Sequence, residues 1–205
     1  MSGSRSSSPV EVSILPAISA DDAELVAEIT DLMNRVYSEA EAGLWIEGGA
    51  TRTTEDEVAT LVRAEEIAIA RLDGEFVGAV RVQQLDDEMG EFGMLVASPQ
   101  HRGVGIGREL VNFAEDWARG RGLDRMQLEL LVPRSWSHPV KDFLREWYTR
   151  IGYRPVRTGV LDEAYPQLVP HLATSCDFVI FHKELNDRRG GTISESGPYA
   201  VQEPH

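Results

Sequence analysis

The stretch Gln100-His101-Arg102-Gly103-Val104-Gly105-Ile106-Gly107 has glycine at three alternate positions beside an arginine. It follows a strand-like run, residues 92–97, and leads into a helical pattern over residues 107–119. Glycines without side chains let a ligand approach the main chain closely. The N-terminus of the helix presents unpaired N–H groups and favours an anion, and the guanidinium of Arg102 suits phosphate oxygens. The stretch therefore predicts a pyrophosphate-binding loop between a strand and a helix.

The spacing of the glycines narrows the kind of pyrophosphate ligand. A dinucleotide fingerprint needs a third glycine where this chain has Arg108, and a P-loop needs Gly-Lys-Ser/Thr, which is absent. The remaining pattern is Gln/Arg-x-x-Gly-x-Gly, present as Gln100-x-x-Gly103-x-Gly105 and extended by Ile106-Gly107. It resembles the acetyl-coenzyme A loop of the GNAT superfamily of N-acetyltransferases. The alternative is a glycine-rich turn with a helix behind it.

A second motif strengthens this resemblance. Residues 143–153 form a helical pattern that ends at Gly152, a left-handed C-cap, and is followed by a strand-like run. The motif resembles the family's second signature, aromatic-Tyr-x-x-hydrophobic-Gly-aromatic, and it lies after the strand-like residues 126–132, where that signature belongs. The resemblance covers roughly residues 11–184 and is strongest over residues 91–153.

The resemblance implies how acetyl-CoA, the expected co-substrate, is held. The glycine loop would bind the pyrophosphate. Main-chain groups of the preceding strand would pair with the pantetheine arm if that strand splays from its neighbour as in the family. Two positions depart from the commonest pattern: Lys141 stands where an asparagine often contacts the arm, and Leu144 replaces a small alanine. The coenzyme-binding residues expected on this basis are Leu95, Val96, Ala97, Arg102, Gly103, Val104, Gly105, Ile106, Gly107 and Lys141.

Acetyl transfer to an amine needs a base, a hydrogen-bond donor for the thioester oxygen and an acid for the departing thiolate. Glu91 is the candidate base: it stands eleven residues before Arg102, near the position where many family members carry a catalytic glutamate. Alternation predicts that it shares a strand face with Gly93, Leu95 and Ala97, whose apolar character would raise its pKa. The alternatives are a solvated strand-end carboxylate, or a base at Asp87, Glu88 or Glu129.

Tyr148 is the candidate acid, because the family's tyrosine at this motif position protonates the leaving sulfur in many members. The alternative for Tyr148 is a packed aromatic residue at the helix end, while Trp147 and Tyr153 are expected in the core. A local bulge at Gly93 would turn a main-chain N–H towards the thioester carbonyl. Tyr37 and Trp45 fall where the family builds its acceptor site, although packing explains them equally well.

Composition indicates a globular protein with a strong acidic bias. The 205 residues carry a net charge of −14, which disfavours nucleic acid and anionic membranes as partners. That charge attracts a cationic amine or serves solubility alone. The single cysteine, Cys176, lies in an apolar run, so an acetyl-cysteine route is disfavoured, and the five histidines lack metal-ligand spacing, so no metal is expected. No apolar run approaches a membrane span and the Ser-rich start is not a secretory signal, so the expected compartment is the cytoplasm.

The order of elements predicts one α+β domain over residues 10–185, with disordered segments at 1–9 and 186–205. Antiparallel strands come first and a strand–helix–strand unit follows. The expected sheet is therefore mixed, mostly antiparallel and flanked by helices on both sides. Predicted strands cover residues 10–14, 67–72, 76–82, 92–97, 126–132, 153–160 and 176–184, with a hairpin turn at Asp73-Gly74. Predicted helices cover residues 21–40, 54–64 with a capping box of Thr54 and Glu57, 107–119, the segment bearing Tyr148, and 163–172.

Together these features predict an N-acetyltransferase that moves the acetyl group of acetyl-CoA directly to an amine in a ternary complex. The amine would belong to a small molecule or a peptide. Two other interpretations stay open: a non-catalytic acyl-CoA-binding sensor module that kept the glycine loop, and transfer to a protein or peptide N-terminus. The sequence is compatible with a homodimer.

Overall fold

The computed structural model describes residues 9–46, 51–161 and 165–185, and within these ranges the chain forms seven strands and four α-helices. The strands are Glu11–Ile14 (β1), Ile67–Leu72 (β2), Glu75–Gln84 (β3), Met89–Ala97 (β4), Arg125–Pro133 (β5), Arg154–Val160 (β6) and Cys176–Glu184 (β7). The α-helices are Ala23–Ala40 (α1), Glu55–Arg63 (α2), Ile106–Gly120 (α3) and Pro139–Arg150 (α4). Short 3-10 helices cover Ala17–Asp21, Pro99–His101 and Pro166–His171.

The seven strands form one mixed sheet, in the order β1-β2-β3-β4-β5-β7-β6. Every pairing is antiparallel except that of β4 with β5, which is parallel. The predicted hairpin turn joins β2 to β3, and Asp73 and Gly74 have the positive φ (52° and 85°) that a two-residue hairpin turn requires. The prediction of a mixed, mostly antiparallel sheet is confirmed.

Helices cover both faces of the sheet, as predicted. On one face α1 and α2 bury an apolar cluster against β2, β3 and β4, and Ile29 and Val62 are fully excluded from water there. On the other face α3 and α4 contribute Leu110 and Tyr148 to a larger cluster. This arrangement is a single α+β domain.

Gly78 on β3 lets α3 lie close to the sheet. A Cβ atom at this position would lie 2.7 Å from the carbonyl oxygen of Val96 and 2.9 Å from the side chain of Ile106. Any larger residue would therefore push away the first turn of α3, which follows the glycine-rich loop. A glycine inside a strand often marks such a close approach.

The ends of the elements show which local predictions hold. Asp22 caps α1, so the helix begins after a 3-10 turn rather than at residue 21. Only half of the predicted capping box forms: the hydroxyl of Thr54 accepts from the N–H of Glu57 at 3.2 Å, but the Glu57 carboxylate accepts from the hydroxyl of Thr53 at 2.8 Å. Gly152 follows α4 with a φ of +105°, which confirms the left-handed cap.

Some predicted segments lie outside the described residues. The helix predicted over 163–172 is a 3-10 helix, Pro166–His171, in its described part, because prolines at 166 and 170 interrupt α-helical hydrogen bonding. The predicted disordered segments, 1–9 and 186–205, lie outside the described ranges except for Pro9. Within those ranges, no helix is both long and apolar enough to cross a membrane.

The parallel strands β4 and β5 pair over a short distance only. Their register runs from Met89 opposite Arg125 to Glu91 opposite Gln127, and the ladder ends there. The rest of β4 therefore turns a free edge towards β5, which stays paired with β7 along its whole length. This is the splay on which the expected pantetheine contacts depend.

A β-bulge in β4 changes which side chains share a face. Between the pairs Ala79–Val96 and Arg81–Gly93 the register shifts by one residue, and Met94 has a φ of +49°. A bulge beside Gly93 is therefore confirmed. Beyond it, Leu95 packs into the α3 cluster, on the face opposite to Glu91.

The predicted strand face for Glu91 is therefore wrong. Strict alternation would place Leu95 and Ala97 beside this carboxylate, but both pack with Phe92 on the other face. The extra residue of the bulge reverses the alternation. The neighbours of Glu91 are polar groups of adjacent strands instead.

Candidate active site

A cleft of about 1850 Å³ lies where β4 and β5 part. Its walls come from β4, the N-terminus of α3, α4 and the C-terminal end of α1. All the predicted site residues line this cleft except two. Val96 is buried towards α1 and α2, and Val104 is exposed at the outer side of the loop.

The glycine loop forms one end of the cleft. Gly105 adopts a left-handed conformation, with a φ of +93°, and a Cβ atom there would meet nothing within 4 Å. No side chain caps α3, and its first turn closes with the N–H of Glu109 donating to Gly105 at 3.1 Å. The earlier N–H groups therefore lack helical partners and suit an anion, and the exposed Arg102 and Arg108 add positive charge beside them.

Tyr148 is a buried residue that lines the cleft, with its ring in an aromatic cluster. The ring centroid is 5.0 Å from that of Trp147, 6.1 Å from that of Phe92 and 6.3 Å from that of Phe181. Among the described residues no group hydrogen-bonds its hydroxyl, and the side chain lines the cleft. Burial, and then the nearby Tyr37, raise the pKa of Tyr148. The hydroxyl therefore stays protonated through the neutral range.

Glu91 is held by amide groups from both neighbouring strands. Gln83 on β3 donates to Oε1 at 2.6 Å, and Gln127 on β5 donates to Oε2 at 2.7 Å. The oxygen of Gln127 in turn meets Nε2 of His182 on β7 at 2.9 Å. Glu91 is therefore not a freely solvated carboxylate at a strand end.

Glu129 is a second carboxylate in the cleft, two residues beyond Gln127 on β5. The hydroxyl of Tyr165 donates to its Oε2 at 2.9 Å. Burial raises the pKa of Glu129, the bond from Tyr165 opposes this rise, and the charge of Glu91 adds to it. The competing base Glu88 does not line the cleft and pairs with Arg125 at 2.6 Å, while the exposed Asp87 lies in the turn before β4.

A buried ion pair joins the C-terminal cap of α1 to α4. Nζ of Lys141 lies 2.8 Å from Oε1 of Glu41, and both residues are buried. The indole N–H of Trp45 donates to the other oxygen of Glu41 at 2.7 Å. The ammonium of Lys141, expected to bind coenzyme, and the polar atom of Trp45, expected to bind the acceptor, are thus both engaged with Glu41.

Tyr37 and Cys176 have different surroundings. The guanidinium of Arg52 lies 4.9 Å from the ring centroid of Tyr37, which lines the cleft. Burial raises the pKa of Tyr37, and the charge of Arg52 opposes that rise. Cys176 is 1% exposed in an apolar cluster, and burial raises the pKa of its thiol to about 11, so the prediction of a core thiol is confirmed.

The cleft residues missing from the sequence-based set include four polar ones that surround the candidate bases and the expected acceptor residues: Glu41, Arg52, Gln83 and Tyr165. Gln83 faces Glu91 because β3 and β4 pair in this register, which the turn between Gln84 and Met89 sets before the bulge is reached. The other three come from segments between or after regular elements. Their spacing in the sequence carries no signal for a shared site.

Solved structures share this fold. Aminoglycoside 6'-acetyltransferase type Ii is 19% identical, with a TM-score of 0.59 over 87% of this chain and 99% of that chain. The putative acetyltransferase yncA from Salmonella typhimurium, solved with its cofactor acetyl-CoA, is 14% identical, with a TM-score of 0.60 over 95% of this chain and 100% of that chain.

A third solved structure is longer than this chain. N-acetylglutamate synthase from Neisseria gonorrhoeae, complexed with coenzyme A and N-acetyl-glutamate, is 18% identical, with a TM-score of 0.58 over 88% of this chain and 36% of that chain. This chain therefore spans about a third of that protein. At these identities the likeness concerns the fold alone.

A comparison with curated proteins found no matching relative. The sequence model of the acetyltransferase (GNAT) family matches residues 27–153, which is more than half of the chain. The matched region contains the splayed β4, the glycine loop, α3 and Tyr148. The chain belongs to the GNAT family of acetyltransferases.

Proposed function

We propose that this protein is an N-acetyltransferase that moves the acetyl group of acetyl-CoA to an amine by direct transfer in a ternary complex. One observation carries the proposal: a single cleft runs from the uncapped N-terminus of α3, along the free edge of β4, to two carboxylates and a tyrosine hydroxyl. Family membership and the presence of coenzyme A or acetyl-CoA in solved structures of the same fold support the choice of co-substrate.

The coenzyme would lie along the basic end of the cleft. Its pyrophosphate fits the first-turn N–H groups of α3 and the glycine loop, with Arg102 beside it. The pantetheine arm would complete the unpaired edge of β4 at residues 95–97, as an added strand does. A main-chain N–H at the bulge near Gly93 is the proposed donor to the thioester oxygen.

Glu91 is the proposed base. The amine arrives mostly as an ammonium, since alkylamines have a pKa of about 10.4, and Glu91 would take its proton directly or through a water molecule. The two amide donors hold this carboxylate in place. Glu129 is the second candidate, because the raised pKa of its carboxyl suits a base that works near neutrality.

Tyr148 is the proposed acid. The amine nitrogen forms a bond to the thioester carbon, and the carbon–sulfur bond then breaks to release the thiolate. The Tyr148 hydroxyl would give its proton to that sulfur and regain one from solvent. Its burial raises the pKa of the phenol, and the same dry surroundings make the thiolate a stronger base.

An acceptor screen tests this proposal. Amines, amino acids, aminoglycosides and peptides are incubated with acetyl-CoA, and release of free thiol is followed. Binding of acetyl-CoA without release to any acceptor would favour a sensor module instead. Thiol release with peptides alone would favour transfer to a peptide N-terminus.

A pair of variants identifies the base. Glu91→Gln should lose most activity at neutral pH and recover as pH rises, because hydroxide then deprotonates the acceptor. Glu129→Gln follows this course if Glu129 is the base. Glu146→Gln, an exposed change on α4 outside the cleft, is the matched control. A uniform loss across pH in both active-site variants would indicate that they position the substrate.

A further inference from the structure

We infer that the acceptor is an amine that also bears a carboxylate, as a free amino acid does, and that Arg52 binds this carboxylate. The inference rests on the proposed N-acetyltransferase function, because it concerns the acceptor end of the same cleft.

A backbone clamp holds Arg52 in place. The side-chain oxygen of Asn34 accepts from the N–H of Thr53 at 3.0 Å, and its amide nitrogen donates to the carbonyl of Thr53 at 3.1 Å. Thr53 is 2% exposed, and its hydroxyl donates to Glu57 at 2.8 Å. Because Thr53 is fixed against α1, the preceding residue is directed along that helix.

The clamp brings the guanidinium of Arg52 over Tyr37. Tyr37 follows Asn34 by one helical turn on α1, and the guanidinium carbon lies 4.9 Å from its ring centroid. The guanidinium also lies within hydrogen-bonding reach of the Tyr37 hydroxyl, which engages only part of its five N–H donors. Arg52 is exposed and lines the cleft, so its other N–H groups are available to a ligand.

Arg52 has no carboxylate partner among the described residues. Two other cations of this region are already paired, Lys141 with Glu41 at 2.8 Å and Arg81 with Glu66 at 2.6 Å. A fixed guanidinium fork is the side-chain geometry that best matches a carboxylate.

Tyr165 lies in the same cleft as Arg52 and the two candidate bases. Its phenol donates to Glu129 at 2.9 Å. Burial raises the pKa of this phenol, the charges of Glu129 and Glu91 add to the rise, and the charge of Arg52 opposes it. An acceptor beside Tyr165 would thus have carboxylates within the cleft for its amine and a guanidinium for its carboxylate.

This charge pattern selects between acceptor classes. A polycationic acceptor would bring a second positive charge near Arg52, which is repulsive. A zwitterion offers an ammonium to the carboxylates of the cleft and a carboxylate to Arg52. Because it is neutral overall, it is not repelled by a chain with a net charge of −14.

A substrate comparison tests the inference. The kcat/KM for L-amino acids is compared with that for the corresponding L-amino acid amides in the wild type, Arg52→Gln, Arg52→Lys and Arg63→Gln. The wild type should favour acids, and Arg52→Gln should lower the acid-to-amide ratio by about ten- to a hundred-fold. Arg52→Lys should retain part of the preference. Arg63→Gln, which removes an equal charge facing Asp21 on the outer surface, should leave the ratio unchanged.

Each outcome has a distinct meaning. If the wild type uses amides as efficiently as acids, the inference is overturned and the acetyltransferase function still stands. The same conclusion follows if Arg52→Gln does not change the acid-to-amide ratio. Absence of thiol release with every amine, while acetyl-CoA still raises the melting temperature, would overturn the proposed function itself. The melting temperature of Arg52→Gln with acetyl-CoA verifies that this variant is folded.

Discussion

Replacing Lys141 by methionine should destabilise the protein strongly. The ammonium of Lys141 lies 2.8 Å from the carboxylate of Glu41, and the two side chains are only 5% and 7% exposed. Removing one partner of a buried ion pair leaves an uncompensated charge and costs about 3–5 kcal/mol. At ~2–4 °C per kcal/mol for a chain of this size, the melting temperature should fall by about 6–20 °C.

Two further variants show whether the charge pair causes this loss. Glu41→Gln combined with Lys141→Met removes both charges but keeps an oxygen for the indole N–H of Trp45, so most of the stability should return. Arg63→Met breaks an exposed pair with Asp21, at 3.7 Å, and should cost less than ~1 kcal/mol. Thermal melts followed by circular dichroism measure all three. A Lys141→Met variant that melts no lower than Arg63→Met would refute the reasoning.

The double variant also decides whether Lys141 binds coenzyme. If the ammonium serves only the pair with Glu41, the double variant should bind acetyl-CoA with an affinity close to that of the wild type, measured by calorimetry. A loss of affinity of about tenfold or more in a variant that has regained its stability would show direct coenzyme contact.

Three other substitutions test the cleft. Gly105→Val should abolish acetyl-CoA binding in calorimetry, because its side chain would enter the open space beside the loop and strain a φ of +93°; normal affinity would place the coenzyme elsewhere. Tyr148→Phe should lower kcat by about ten- to a thousand-fold with little change in coenzyme affinity, and unchanged turnover would leave Tyr148 a packing role. Because burial raises the pKa of Cys176 to about 11, a thiol reagent at pH 8 should label it only after unfolding, and labelling of the folded protein would contradict its burial.

The coenzyme end of the cleft is predictable from the sequence because its determinants are local. The alternate glycines, the preceding strand and the following helix lie within one short stretch, and backbone geometry alone makes the anion site. The same holds for Gly152, whose left-handed conformation follows from its place after an apolar helix. Such features need no knowledge of the distant chain.

The acceptor end is not predictable in this way because it depends on register and on long-range contacts. The bulge at Met94 reverses the faces of Leu95 and Ala97, and no alternation rule places an extra residue in a strand. Arg52 reaches the cleft only through the clamp between Asn34 and Thr53, which joins residues nineteen positions apart. The acceptor end is determined by hydrogen bonds between distant segments, and the pattern of residues along the sequence does not reveal these bonds.

The hydrogen bonds that fix Glu91 lie at the place in the sheet where β4 and β5 part. Gln83, Glu91, Gln127 and His182 form a row across β3, β4, β5 and β7, and it is the last row before β4 and β5 part. Because the amide nitrogen of Gln127 donates to Glu91, its oxygen must accept, so His182 donates from Nε2. A flipped amide would lose the bond to Glu91 and set an oxygen against the carboxylate. The full-length pairing of β5 with β7 continues past the point where β5 leaves β4, and it brings His182 to Gln127. The row at which the cleft opens thus also orients the proposed base.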